Sequence, residues 1–318
     1  MRRRLLLGVL LLLFTLLPCV AQDEGSEIDL ALALFASGDV MVPYSDEGRA
    51  QLEAAIEVFR TALGITEDLD EANEEAVGAF DVDFAQKDLV NKLSQGYYTL
   101  ADAFLEGDPN ERATYLRGKH WGLKSLRMDA EFARLESEEG FVVAVQAATD
   151  IAALYWTAAN WLRASEFNKL EAIFAGVPEK TEAMSLRCLE LDEAFNVYGS
   201  YRALGSFWGG MPRLPAGTYR KNFNKSLSYF CKVVDEPDLC AECNDCPDFG
   251  PFDPAADEYL ENRILFAEFY LIEKEYWEDA ERILQQILSE PIGDKHPLYN
   301  ALAQEEAAQF LEEVEKHL

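Results

Sequence analysis

The residues whose types and spacing best suggest chemistry are four cysteines in the last third of the chain. Cys240, Cys243 and Cys246 stand three apart, with Cys231 nine residues upstream. Cys-x2-Cys-x2-Cys resembles the start of an iron–sulfur ligand run, but Phe249 to Pro251 follow where the run needs its fourth cysteine. Cys231 would be the fourth thiolate of a structural zinc. The competing expectation is oxidation: thiols of exported proteins pair, and the surrounding Pro- and Asp-rich loop has little apolar material to bury. Disulfides among Cys231, Cys240, Cys243 and Cys246 are therefore favoured, with metal and free thiols as alternatives. Four cysteines allow three pairings, and the sequence leaves them open. Cys188, within Leu186-Arg187-Cys188-Leu189, reads as a buried small apolar residue.

A second set is aromatic. Leu154-Tyr155-Trp156-Thr157-Ala158-Ala159-Asn160-Trp161 and the run from Tyr198 to Gly210 mix large rings with Gly, Ala and Ser at helical spacing. Closely packed helices use that mix, small residues admitting the neighbouring backbone while rings fill the groove. Trp156 and Asn160 share a helix face, flanked by Tyr155 and Trp161, and a buried Asn must find a hydrogen-bond partner. Tyr201, Arg202 and Trp208 would form the opposing wall, with Arg202 able to hold a carboxylate or to satisfy helix carbonyls or an acidic neighbour. These seven are the candidate ligand-binding residues. Plain core packing is the competing reading, since rings at helical spacing commonly face a core.

No phosphate-binding loop, Gly-x-Ser-x-Gly elbow, His-Glu-x-x-His helix or dinucleotide fingerprint occurs. His120, His296 and His317 are scattered, and Asp81-Val82-Asp83 lacks the glycine and distal glutamate of a calcium loop. The expectation is a non-enzymatic protein with no cofactor and no catalytic residues.

Arg2 to Arg4, the apolar run Leu5 to Leu17, and Cys19-Val20-Ala21 before Gln22-Asp23-Glu24 have the three-part layout of a secretory signal peptide, cleaved after Ala21. Cys19 also sits as in a lipoprotein box, but Pro18 stands where such boxes want a small residue. Removing residues 1 to 21 takes away three Arg and moves the formal net charge from −30 to −33. So acidic a surface repels nucleic acid and anionic lipid headgroups. Expected is an exported chain, periplasmic or otherwise, whose residues 22–318 form one helical domain, with a Cys-rich loop at 235–254.

Helical periodicity dominates, and alternating strand patterns are scarce, so the fold class is all-α. Helices are expected near 27–37, 47–63, 70–80, 86–106, 110–128, 140–163, 166–174, 179–208, 218–234, 255–273, 276–288 and 297–317. Ala55, Phe59 and Ala62 fit part of a tetratricopeptide second helix; Ala280, Leu284 and Ile287 fit it again, and Ser226, Phe230 and Val233 more weakly. Degenerate helical hairpins of this kind predict an α-α superhelix, and ordinary amphipathic packing is the alternative.

A succession of segments resembles the T component of tripartite ATP-independent periplasmic (TRAP) transporters, the TatT family. It comprises Tyr97-Tyr98-x2-Ala101-Asp102-Ala103-Phe104, Arg112-Ala113-x-Tyr115-x-Arg117-Gly118-Lys119, Leu154 to Trp161, Tyr201 to Gly205 with Trp208-Gly209, Ser226 to Phe230, and Phe266 to Tyr270. It spans about Val90 to Leu318. The resemblance implies an all-helical body, a homotrimer, and a pore-like cavity through each subunit beside the docking site of the periplasmic solute-binding protein. It makes that protein the expected partner and a small organic or apolar molecule the expected cargo. A helical-repeat envelope scaffold that binds a peptide or protein without passing any ligand is the alternative. Members are commonly lipoproteins, from which Pro18 departs.

Overall fold

The computed structural model describes residues 24–35, 39–243 and 249–318. The leader with its Cys19 and the thiol of Cys246 lie outside them. Among the described residues there are sixteen α-helices and no strand. The first seven are α1 (Glu24–Ala33), α2 (Asp46–Ala62), α3 (Glu74–Ala79), α4 (Lys87–Phe104), α5 (Glu111–Arg127), α6 (Ala130–Glu138) and α7 (Phe141–Ala147). Then come α8 (Ile151–Glu166), α9 (Lys169–Phe174), α10 (Val177–Leu191), α11 (Phe195–Gly210) and α12 (Phe223–Phe230). The last are α13 (Pro237–Cys240), α14 (Leu260–Phe266), which runs into a π-helical segment over Ala267–Ile272, α15 (Trp277–Ser289) and α16 (Pro297–Val314).

Local chemistry sets many of the starts. Ser45, Asn73, Asp129, Asp150, Asn168 and Asn222 each accept a hydrogen bond from a first-turn backbone N–H of α2, α3, α6, α8, α9 and α12, satisfying donors that a helix start leaves orphaned. Several expected helices are divided. The span 140–163 breaks where Ala148 turns extended and Asp150 caps a new helix. The span 179–208 breaks after Leu191, and Asn196, Val197 and Tyr198 then adopt left-handed φ of 51°, 51° and 60°. The span 255–273 changes from α to π at Ala267. Helix α6 lies where none was expected.

Three clusters of buried side chains make up most of the core. One joins α1, α2 and α4 through Phe35, Leu52, Phe59 and Leu93. A second sits among α6, α7, α8 and α10 around Phe132, Leu154 and Met184. The third joins α11, α12, α14 and α15 through Leu204, Phe230, Ile264 and Leu284. Helix α16 ties the first to the third, since Leu298 and Leu302 enter one and Ala303, Ala307 and Val314 the other. The repeat-pattern residues Phe59, Ala280, Leu284, Ile287 and Phe230 all face inward; amphipathic helices place residues so with or without a repeat. No helix among the described residues is long and apolar enough to cross a membrane.

Candidate functional site

Helix α8 has two faces with different surroundings. On one, Trp156, Thr157 and Asn160 press against α4 and α5. Asn160 Nδ2 donates to the carbonyls of Trp156 at 2.8 Å and Ser94 at 3.1 Å, so this buried amide is held by backbone. Opposite lie two glycines of α5: a Cβ on Gly118 would come 2.2 Å from Asn160 Oδ1, and one on Gly122 2.2 Å from Thr157 Oγ1. The close crossing expected of α8 is therefore made with α5 rather than with the Tyr198–Gly210 segment. Trp156 stacks obliquely on Tyr98, centroids 5.5 Å apart.

The other face of α8 looks into a cavity of about 150 Å³ walled by α4, α8, α9, α10, α11, α14, the π segment and α16. At roughly 10–15 Å³ per water centre, it has room for on the order of ten waters or one small organic molecule. Of the seven candidate residues it brings together two, Tyr155 and Arg202. Trp156 and Asn160 belong to the crossing with α5. Trp161 packs edge-on to Phe141, with Lys119 4.6 Å and Lys180 5.3 Å from its ring. Tyr201 turns toward Phe249 and donates to Glu193 at 2.9 Å. Trp208 is sandwiched between Tyr219 and the Lys225 ammonium, which lies 3.7 Å from its ring centroid. These five lie outside the cavity lining because their helices turn them into neighbouring packing contacts.

Residues that sequence reasoning passed over complete the cavity. Leu162, Ile173, Leu265, Phe269 and Leu302 supply apolar wall; Asp102, Glu166, Glu261, Glu268 and Glu306 bring carboxyls, against the cations of Arg163, Lys169 and Arg202. Arg163 pairs with Asp102 and with Glu166, each at 2.9 Å. Arg202 lies 3.2 Å from Glu261, donates to Asn262 Oδ1 at 2.9 Å, and stacks over Tyr259 with its guanidinium 4.7 Å from the ring centroid. Its charge is thus already paired, and the carboxylate that Arg202 holds comes from within the chain. Burial pushes the Glu268 carboxyl up to about 7 and the Glu306 carboxyl well above its ordinary range. It raises Glu261 too, against the pull of Arg202. The physical cause is desolvation, which disfavours the ionised carboxylate. Both Glu268 and Glu306 are half-buried by exposure, the accessible part facing the cavity.

Two irregular backbone segments border this space. The π segment carries Glu268 and Phe269 into the wall; such segments are rare and frequent at functional sites. The left-handed run Asn196-Val197-Tyr198 precedes Gly199 and Arg202, which line the cavity. Left-handed φ at a β-branched valine is costly, and its surroundings must over-determine it. Asn196 Nδ2 donates to the Tyr155 hydroxyl at 2.9 Å, Arg202 donates to the Val197 carbonyl at 3.2 Å, and the Tyr198 hydroxyl donates to Asp253.

The cysteines sit away from this cavity. Cys231 and Cys240 form a disulfide with Cα atoms 5.7 Å apart, and Cys243 is disulfide-bonded as well. The segment around them is less polar in place than in sequence: Leu239, Ala256 and the Phe249 ring join the third cluster, Phe249 stacking on Tyr229 at 5.0 Å. Cys188 is buried and its thiol is pushed up to about 12 by desolvation. The histidines have separate partners: His120 on the Glu71 carbonyl, His296 on Asp39, His317 stacked on Trp277. Among the described residues no group of three or more His, Cys, Asp or Glu is arranged to hold a metal ion.

No curated protein matches the chain. A family model does, from the residue after α3 to the last residue of α12, and that span includes the cavity walls contributed by α4 and α8 to α11 but not those from α14, the π segment and α16. Over residues 80–230, just under half of the chain, it matches the model of the TRAP transporter T-component family, TAtT.

Proposed function

We propose that the chain is a periplasmic, non-enzymatic accessory component of a TRAP transporter that binds the solute-binding protein and passes a small organic or apolar ligand through the cavity. The match to the TRAP transporter T-component family supports a role in TRAP transport. The observation that carries the finer reading is the pairing of cavity and surface in one short helix. Helix α9 gives Lys169, Ala172 and Ile173 to the cavity wall, while Leu170 and Phe174, with Phe167 just before it, are 53%, 89% and 49% exposed. Grouped apolar side chains left in water mark partner surfaces, and this group lies beside the space a ligand would enter. Export, a homotrimer, one domain over 22–318 and cleavage after Ala21 go with this reading; N-terminal sequencing that begins at Gln22 would establish the last.

The test is association of the mature chain with the solute-binding protein encoded beside it, by calorimetry or pull-down. Binding at tens of micromolar or tighter, in the range of transient contacts, is expected. The variants Leu170→Asp and Phe174→Asp should weaken it about tenfold or more while helical content is unchanged. No association at that concentration would remove the reading.

A second reading, an envelope scaffold that binds a protein or peptide and passes no ligand, is favoured by one observation. Trp156, Trp161 and Trp208 are packed outside the cavity lining, so most of the large rings serve the framework. A variant that fills the cavity separates the two: a scaffold keeps its partner and its activity, a conduit keeps its partner and loses transport.

A further inference from the structure

We propose that the cavity selects a small amphiphile bearing an amine, held by Glu268 and Glu306 with the Tyr299 hydroxyl as a further polar contact, and discriminates against carboxylates. This names the ligand class of the cavity and rests on the reading that the cavity takes a ligand.

The balance of charge inside the cavity sets its preference. Three cations face five carboxyls there, and the cations are engaged. Arg163 from α8 is shared between Asp102 of α4 and Glu166 of its own helix. Arg202 from α11 is held by Glu261 and Asn262 of α14. Lys169 from α9 donates to the Gly210 carbonyl at 3.1 Å. Glu268 from the π segment and Glu306 from α16 make no hydrogen bond or ion pair among the described residues. They are the two carboxyls left over when the others are matched.

The Tyr299 hydroxyl is an independent observation that points to a ligand. Tyr299 is 3% exposed and lines the cavity, yet its oxygen has no hydrogen-bond partner; it lies near the Thr99 hydroxyl without reaching hydrogen-bonding geometry. An unmade hydrogen bond at a buried polar atom costs about 1–3 kcal/mol. A hydroxyl can accept from an ammonium, and two carboxylates can accept from its remaining protons.

A carboxylate ligand meets the opposite situation. To gain a cation it must break the Arg163 or Arg202 pair or draw Lys169 from the Gly210 carbonyl, and it would stand beside Glu268 and Glu306. The apolar wall of Leu162, Ile173, Leu265 and Phe269 calls for a hydrocarbon body, so the ligand is an amphiphile and not a bare ammonium ion. Tyr98 and Tyr155 face the same space as neutral phenols, since burial raises both. The carboxyl of Glu268, pushed up to about 7 by burial, is the group that switches the preference, with Arg163, Glu166, Lys169 and Asp102 as the charges that act on it and Glu306 across from it on α16.

The test compares hexylamine, 1-hexanol and hexanoate on the full mature chain by calorimetry. At about pH 8, where Glu268 is ionised, hexylamine is expected to bind about tenfold more tightly than hexanoate. Near pH 5.5, where that carboxyl is protonated, the preference should shrink to about threefold or less. The double variant Glu268→Gln, Glu306→Gln should lose the preference and keep 1-hexanol binding and helical content; the single variant Glu306→Gln, tested separately, covers the case in which the double variant fails to fold. Hexanoate binding as tightly as hexylamine, or a preference that survives the glutamines, overturns the ligand class and leaves the cavity reading standing. If none of the three binds, the cavity reading falls and the ligand class falls with it.

Discussion

The two faces of α8 each join a large ring to small residues and end in opposite states. Toward α4 and α5, Trp156, Thr157 and Asn160 press in, and Thr157 and Asn160 fill the space over Gly122 and Gly118 so closely that not even a Cβ could be added there. Toward α11, α14 and α16, Tyr155, Ala159, Leu162 and Arg163 border open space. Rings and small residues on one helix do not decide between a dry seam and a cavity. The facing element decides. Glycine on a regular helix lets the backbone in, whereas carboxyls, a π segment and a left-handed turn hold the far wall off.

The largest expected effect breaks the dry face. Gly118→Val places a branched side chain where even a Cβ would lie 2.2 Å from Asn160 Oδ1; overpacking of this kind should cost about 3 kcal/mol in urea unfolding. A loss below about 0.5 kcal/mol would mean that the seam yields and that the two faces differ little in how tightly they are packed.

Away from both faces, the Cys231–Cys240 disulfide closes a short loop next to the third cluster. Replacing both cysteines with serine should cost about 2 kcal/mol and raise proteolysis between residues 235 and 254, with helical content by circular dichroism nearly unchanged. Global unfolding would make the loop part of the framework rather than an attachment to it.

The third prediction concerns pH. Burial raises the folded-state pKa of Glu268 to about 7 from an ordinary 4.5. A carboxyl whose folded pKa lies above its unfolded one binds its proton more tightly when folded, so its favourable contribution is full below about pH 4.5 and is lost as pH rises through about 7. Allowing for partial access to solvent, raising the pH from about 5 to 8 should destabilise the wild-type chain by about 1–2 kcal/mol more than Glu268→Gln. Equal pH profiles would show that solvent in the cavity screens the charge.

The smallest effect sharpens the contrast. Ala159→Leu, on the open face, should change stability by under about 0.5 kcal/mol because the new side chain enters existing space, while weakening the binding of any ligand there about tenfold. A large destabilisation would show that the open face is packed as tightly as the dry one.

How much of this was legible depends on what carries each feature. The helices were, because a 3.6-residue apolar period survives single exceptions, as in α15 with Ala280, Leu284 and Ile287 turned inward. Helix α6 was not. It has nine residues and two buried side chains, Phe132 and Leu135, too few turns for a period to show. The break before α11 was hidden because Asn196, Val197 and Tyr198 include no glycine to announce a left-handed backbone. Tyr155 and Arg202 stood out among small residues. Glu268 and Glu306 did not, because among 58 acidic residues only the fold distinguishes two that lack partners. The cysteines showed that bonding was an option; the Cys231–Cys240 pairing depends on the turn at the end of α12 that brings the chain back.

The π segment makes part of the cavity wall a matter of residue count. In an α-helix each residue turns the chain by about 100°, so Ala267–Ile272 joins α14 to the turn before α15 in a phase that an unbroken α-helix would not give. Deleting one residue there would let the segment close into a regular α-helix and leave what lies upstream and downstream nearly in phase, because the wider turn holds about one residue more than an α turn. Glu261 and Leu265 on one side, and the turn leading into α15 on the other, would keep their present seats. A one-residue deletion at this point would therefore act on Glu268 and Phe269 in the cavity wall, as a local change of ligand specificity within an unchanged frame.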